Sequence, residues 1–143
     1  MKLYKFGWLF LLMVISVSSC GQKSKKDKTD FSKGDMMIRM AEIEIDSNYL
    51  DEYIAILKEE AEASVRLEPG VICIYPMFQK EEPTQIRLLE IYANKEAYES
   101  HLQTPHFKKY KTSTMAMVKD LKLIAMKSID PESMPLIFSK SKQ

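Results

Sequence analysis

Residues 71–78 (VICIYPMF) are apolar on both alternating sets of positions. Val71, Cys73, Tyr75 and Met77 fall on one face of an extended chain, and Ile72, Ile74 and Phe78 on the other. A strand with one wet face alternates apolar with polar residues, so this strand is expected to be covered on both sides. Residues 121–129 (LKLIAMKSI) repeat the pattern, with Leu121, Leu123 and Ala125 set against Ile124 and Met126. The helices of a short chain can cover only one face of a sheet. The simplest cover for the other face is the same sheet from a second copy, and a two-fold pair is the default oligomer. A homodimer is therefore expected.

The remaining elements follow from periodicity and punctuation. Residues 36–45 (MMIRMAEIEI) read as a strand, and Asp46, Ser47 and Asn48 supply capping side chains for the helix that follows. In that helix Leu50, Tyr53, Ile54, Leu57, Ala61 and Val65 recur at spacings that make an apolar stripe. Gly70 stands where a helix end takes a left-handed residue. Strands are expected at 71–79 and 85–93 around a polar loop at 80–84. Asn94 can cap a short helix reaching residue 103, with Glu96 near its positive end. Pro105 suits the first turn of a further helix running to about 119, and 121–129 is the last strand. The order β-α-β-β-α-β is the ferredoxin-like arrangement, an α+β fold on an antiparallel sheet.

The ends of the chain carry a different message. Lys2 and Lys5 precede an uncharged apolar run at 6–17, shorter than the roughly 20 residues a bilayer span needs, so 1–20 reads as a signal peptide. Val17-Ser18-Ser19-Cys20-Gly21 resembles the lipobox of bacterial lipoproteins, with Cys20 as the lipidated residue. That implies a lipid anchor to a membrane outside the cytoplasm, in the bacterial cell envelope. Residues 21–34 are polar and lysine-rich, a composition suited to a flexible tether. The expected folded domain spans 35–130, and 131–143 form a tail whose PLIF segment at 135–138 is its only apolar patch. Residues 1–34 carry seven Lys and two Asp, whereas 35–143 carry fourteen Lys and Arg against eighteen Asp and Glu. A mildly acidic domain without a basic stripe argues against a nucleic-acid partner. With Cys20 committed to lipid, Cys73 has no disulfide partner and reads as an inert thiol in an apolar strand. No clustered Cys/His spacing is present, so a metal site would have to be assembled from scattered residues.

The segment 68–110 carries a resemblance to a known family. Glu68-Pro69-Gly70 opens a strand, Glu90 and Tyr92 close the next, and His101-Leu102 is followed by Pro105-His106-Phe107. In this order the chain resembles the antibiotic biosynthesis monooxygenase family, small domains that include quinol monooxygenases. The resemblance covers roughly 35–129 and implies a dimeric α/β barrel. It also implies chemistry without flavin, haem or metal, because the reduced aromatic substrate itself supplies electrons to oxygen. Such a reaction needs an apolar cavity and one or two groups able to take a phenolic proton. His101, His106, Tyr92 and Glu90 are the candidates. His101, on the inner border of the short helix, is either the base or hydrogen-bond donor of the cavity or a structural histidine bonded to backbone. His106 is either a second polar group of the site or, at the start of the next helix, a capping or surface residue. Tyr92 either donates to a substrate oxygen or fills the aromatic core, and Glu90 either acts in the site or pairs with Arg39 across the sheet. A haem-degrading branch of related domains closes the third strand with Trp, where this chain has Tyr92, so haem chemistry is not expected. The expected activity is a cofactor-independent monooxygenase acting on a small aromatic such as a quinol or polycyclic phenol. The alternative is a non-catalytic lipoprotein that binds a hydrophobic small molecule in the same cavity.

Overall fold

The computed structural model describes residues 35–140. The expected signal peptide with Cys20, the expected tether at 21–34 and the last three residues lie outside the described residues.

Strand β1 (Met37–Ile45) alternates as a strand with one covered face should: Arg39, Ala41, Ile43 and Ile45 are buried and their neighbours are half-buried. Asp46 accepts a hydrogen bond from the backbone N–H of Asn48 (2.9 Å) and starts a single 3-10 turn, Ser47–Tyr49, that runs into α1 (Leu50–Leu67). Helix α1 buries Tyr53, Leu57 and Ala61 as expected, but Val65 is 46 % exposed and Glu60 and Ser64 are buried instead. The reason is angular. Each step of four residues overshoots a full turn by about 40°, so three such steps carry Val65 off the face that Tyr53 occupies, whereas steps of four, three and four return Ser64 to it.

Gly70 does not act as a left-handed cap. Among the described residues none has a positive φ, and the end of α1 is closed by Glu68, whose N–H reaches the carbonyl of Ser64 in an extended conformation. Glycine is needed here for space. A Cβ on Gly70 would sit 2.5 Å from Cβ of Ala97.

Strands β2 (Val71–Phe78) and β3 (Gln85–Tyr92) form a hairpin, followed by the short helices α2 (Lys95–His101) and α3 (Pro105–Thr114). Asn94 caps α2 by accepting from the N–H of Ala97, and Thr104 caps α3 ahead of Pro105. Helix α3 stops at Thr114, five residues short of the expected end, and β4 (Val118–Met126) begins and ends three residues early. Met117 sets this boundary. Its buried side chain sits in a turn whose N–H donates to Thr114 and whose carbonyl accepts from Asp46, which draws Val118 alongside Ile45. The tail forms a 3-10 turn, Pro131–Ser133, and helix α4 (Met134–Lys140), with Leu136 and Ile137 exposed.

All pairings are antiparallel in the order β2-β3-β1-β4, the ferredoxin-like arrangement. The core lies between one face of this sheet and the helices, around Tyr53, Leu57, Ile43, Ile74, Leu88 and Tyr92. On the opposite face the register aligns Ile38, Ile91 and Met126 in one row and Met40, Leu89, Tyr75 and Ile124 in the next. Tyr75 and Met126 there remain 60 % and 47 % exposed. Arg87, Glu42 and Lys122 form the row beyond.

Candidate active site

A cavity of about 390 Å³ lies between the helix-facing side of the sheet and the helices. Ala41, Ile43, Ile74 and Leu88 give it an apolar floor, and Phe107 and Tyr110 stand over them. Exposed Met115, Leu121 and Leu123 mark its open side. Polar groups reach it from the sheet (Arg39 and Glu90), from α1 (Glu60), from α2 (Tyr98 and His101) and from α3 (Tyr110, Lys111 and Thr114).

His101 ends α2 and is 2 % exposed. Its Nδ1–H donates to Oε1 of Glu68 at 3.0 Å, and the same oxygen accepts from Nε2 of His106 at 2.5 Å. The two imidazoles converge because the chain turns tightly between them. The hydroxyl of Thr104 donates to the His101 carbonyl at 2.8 Å while its oxygen caps α3. Burial alone would push the Glu68 carboxyl up, but the hydrogen bonds from His106 and His101 outweigh it and hold Glu68 below the ordinary carboxylate range. An ionised carboxylate can only accept, so the ring nitrogen facing it carries the proton. In neutral His101 that leaves Nε2 as the acceptor. Nε2 lies 3.7 Å from Oε1 of Glu60, beyond hydrogen-bond range. The ring is packed against Phe107 and Tyr92, at centroid distances of 4.7 and 5.4 Å.

Glu60 is 5 % exposed and accepts from the Ser64 hydroxyl at 2.7 Å. Burial is the largest influence on it and raises its carboxyl above the ordinary range. At the other end of the cavity Arg39 and Glu90 stand opposite each other in the β1–β3 register, and Nε of Arg39 donates to Glu90 at 2.5 Å. The expected ion pair therefore forms. Burial works against the arginine charge, yet contact with Glu90 more than offsets it, and the guanidinium stays protonated. Arg39 also donates to the Tyr98 hydroxyl at 3.0 Å, with its guanidinium carbon 4.6 Å from the centre of that ring.

Tyr92 fills the aromatic core, the second of its two expected places, and His106 also stands away from the cavity. Tyr92 is fully buried, packed behind Tyr98 and His101, and is not among the residues lining the cavity. Its hydroxyl has no hydrogen-bond partner, and burial raises its pKa. Tyr98 takes the cavity position instead. His106 neither caps α3 nor faces the cavity, because its ring is drawn to Glu68. Sequence reasoning missed Glu60 and Tyr98 and gave Glu68 no role beyond a turn. The signal for Glu60 was its helical spacing to Leu57 and Ser64. Tyr110, on the cavity wall, shares a 2.7 Å hydroxyl contact with Tyr53 and is pushed up to about 12 by burial. Among the described residues, Glu68, His101 and His106 could hold a metal ion, with their ligand atoms all within 4.8 Å of one another.

A ferredoxin-like sheet with an apolar cavity under its helices is a frame that many small-molecule chemistries share. The chain belongs to the antibiotic biosynthesis monooxygenase family, whose profile matches residues 36–113. It is similar to the crystal structure of a candidate antibiotic biosynthesis monooxygenase from Bacteroides thetaiotaomicron, at 49 % identity over 70 % of this chain and 95 % of that one, with a TM-score of 0.69. A candidate monooxygenase from Lactobacillus acidophilus is 28 % identical over 65 % of this chain and 44 % of that one, with a TM-score of 0.64. A candidate antibiotic biosynthesis monooxygenase from Nitrosomonas europaea, 18 % identical over 67 % of this chain and 92 % of that one (TM-score 0.63), supports the fold alone. No curated protein matches the chain.

Proposed function

We propose that this domain is a cofactor-independent monooxygenase that oxidises a small aromatic, a quinol or polycyclic phenol, with O2. The observation that carries the reading is the orientation of His101. Its Nδ1–H is committed to ionised Glu68, which leaves Nε2 as a proton acceptor at the wall of an apolar cavity. A phenolic O–H placed there loses its proton to Nε2. The phenolate is the electron-rich form that can give an electron to O2, and the buried Arg39 charge beside Tyr98 stabilises the anion. The resulting pair joins at a ring carbon as a peroxide, which takes the proton back from His101; loss of the hydrogen on that carbon with cleavage of the O–O bond then releases water and leaves a quinone carbonyl. Glu68 and His106 position the base, and Glu90 holds Arg39. The cavity volume falls within the roughly 300–1,000 Å³ usual for small-molecule sites.

The same reading includes a second copy of the chain over the open sheet face, supported by the apolar rows around Met40 and Ile38. It also includes a lipid anchor at Cys20, supported by the residues of 17–21, which would hold the domain at a membrane outside the cytoplasm.

Oxygen uptake by the purified protein with a panel of reduced naphthoquinols and anthrols tests the activity. His101→Ala should lower turnover by about 10²- to 10⁴-fold, the usual contribution of a general base, with the fold intact by circular dichroism. Full activity in that variant would remove His101 as the base. If no reduced aromatic consumes oxygen but the oxidised forms bind, the domain is a binding module.

A further inference from the structure

Three ligand atoms, one from the end of α1 and two from the α2–α3 turn, converge just outside the cavity. Nδ1 of His101 and Nε2 of His106 lie 3.0 and 2.5 Å from one oxygen of Glu68, and the three atoms fall within 4.8 Å of one another. An imidazole N–H and the lone pair that replaces it on deprotonation share one direction, so both rings aim at the same point. We propose that Glu68, His101 and His106 form a binding site for one divalent transition-metal ion of the Zn²⁺ class, and that occupancy switches the domain off.

The donor set favours such an ion. Two imidazole nitrogens and a carboxylate suit zinc, whereas calcium and magnesium prefer oxygen ligands alone. Metal–ligand bonds of about 2.0–2.2 Å place tetrahedral ligand atoms roughly 3.3 Å apart. Reaching that spacing lengthens the two contacts to Glu68 by less than about an ångström and draws the two ring nitrogens, now within 4.8 Å, closer by up to about 1.5 Å, which asks for small side-chain rotations of both Glu68 and His106. Glu68 lies just beyond α1 rather than inside it. The side chains of Glu68 and His106 are 12 % and 19 % exposed, which gives an ion a way in and leaves room for water as a fourth ligand.

The surroundings fit as well. A metal-bound histidine usually donates its other ring N–H to a carboxylate, which fixes the ring. Nε2 of His101 points toward Oε1 of Glu60 at 3.7 Å, and Glu60 is itself held by Ser64. With a metal on Nδ1, the ring proton must reside on Nε2. That nitrogen then has no lone pair for a phenolic proton. The ion is thus a competitor of the two N–H protons now shared with Glu68, and its effect on activity rests on the reading of His101 as the base. Binding of the ion does not rest on that reading.

The test is calorimetric titration of Zn²⁺ into the full chain after chelator treatment, at neutral pH in two buffers of different ionisation heat. One ion per chain should bind with micromolar affinity and with little net proton release, since a neutral ring passes its proton to its other nitrogen, and thermal stability should rise with Zn²⁺ concentration. His106→Gln, partly exposed and able to keep its hydrogen bond to Glu68, should weaken binding at least tenfold, and Glu68→Gln should do the same. No binding at 100-fold the protein concentration, or binding untouched by both variants, overturns the site. Oxygen uptake separates the two claims. Loss of uptake at one equivalent of Zn²⁺, reversed by chelator, supports the switch. Uptake unchanged by bound Zn²⁺, or dependent on an added ion such as Fe²⁺, overturns it. If metal-free protein consumes no oxygen with any reduced aromatic, the monooxygenase reading falls and the switch with it, while the isotherm alone decides the site.

Discussion

Glu60 brings an ionisable group onto the buried face of α1, beside Tyr53, Leu57, Ala61 and Ser64. Its carboxyl titrates above the ordinary range in the folded protein, chiefly because burial disfavours the charge. The unfolded chain has no such bias. Folding therefore favours the protonated form, and the associated stability is full below the ordinary carboxylate range of about 4 and is lost as pH rises through the folded value. Glu60→Gln keeps an acceptor for the Ser64 hydroxyl and removes the titration. Its Tm should match that of the native sequence near pH 4 and exceed it at pH 8, with each kcal/mol appearing as roughly 4–8 °C in a domain of this size. The opposite trend would mean that the fold prefers the ionised form. Glu90 and Arg39 were legible in the sequence as a pair, because a carboxylate in an apolar strand row demands a partner and the neighbouring strand offers one. Glu68 was not legible as the joint of the site. Its two partners lie 33 and 38 residues away, and only the meeting of α1 with the α2–α3 turn brings them together.

Among the elements, the cap residues and strand alternation were readable because each depends on neighbours a few residues apart. Where the reading of elements slipped, a tertiary contact had intervened: Met117 ends α3 early, and Gly70 is small because Ala97 lies against it. This last contact has a measurable consequence. The two Cβ atoms of Gly70→Ala and native Ala97 would be 2.5 Å apart, and neither is the end of a flexible chain, so the backbones of β2 and α2 must separate. Overpacking of this kind costs about 1–3 kcal/mol. Denaturant midpoints should record that loss, and the double variant Gly70→Ala/Ala97→Gly should regain part of it, offset by the roughly 1 kcal/mol helix cost of glycine. Additive losses in the double variant would show that the two positions do not press on each other.

For the molecule as a whole, the open sheet face sets the main expectation. Apolar patterning on both faces of 71–78 and 121–126 was readable from the sequence, but which residues face the helices was not, since that depends on register. The register puts Leu123 on the cavity side and Ile124 on the open side. Sedimentation at micromolar concentration should give a dimer, and Ile124→Lys should give a folded monomer, because a lysine there is desolvated only in the pair. A clean monomer of the native sequence would remove the second copy from the reading. The open side of the cavity has a consequence of another kind. Met115, Leu121 and Leu123 stand exposed at its mouth, whereas Arg39, Glu60, Glu90 and His101 are buried further in. An entering molecule sheds its water against hydrocarbon before Arg39, Tyr98 or His101 can replace the lost hydrogen bonds. Admission is thereby graded by the work of dehydration, as partition into oil is, and the interior acts only on what the threshold has already sorted.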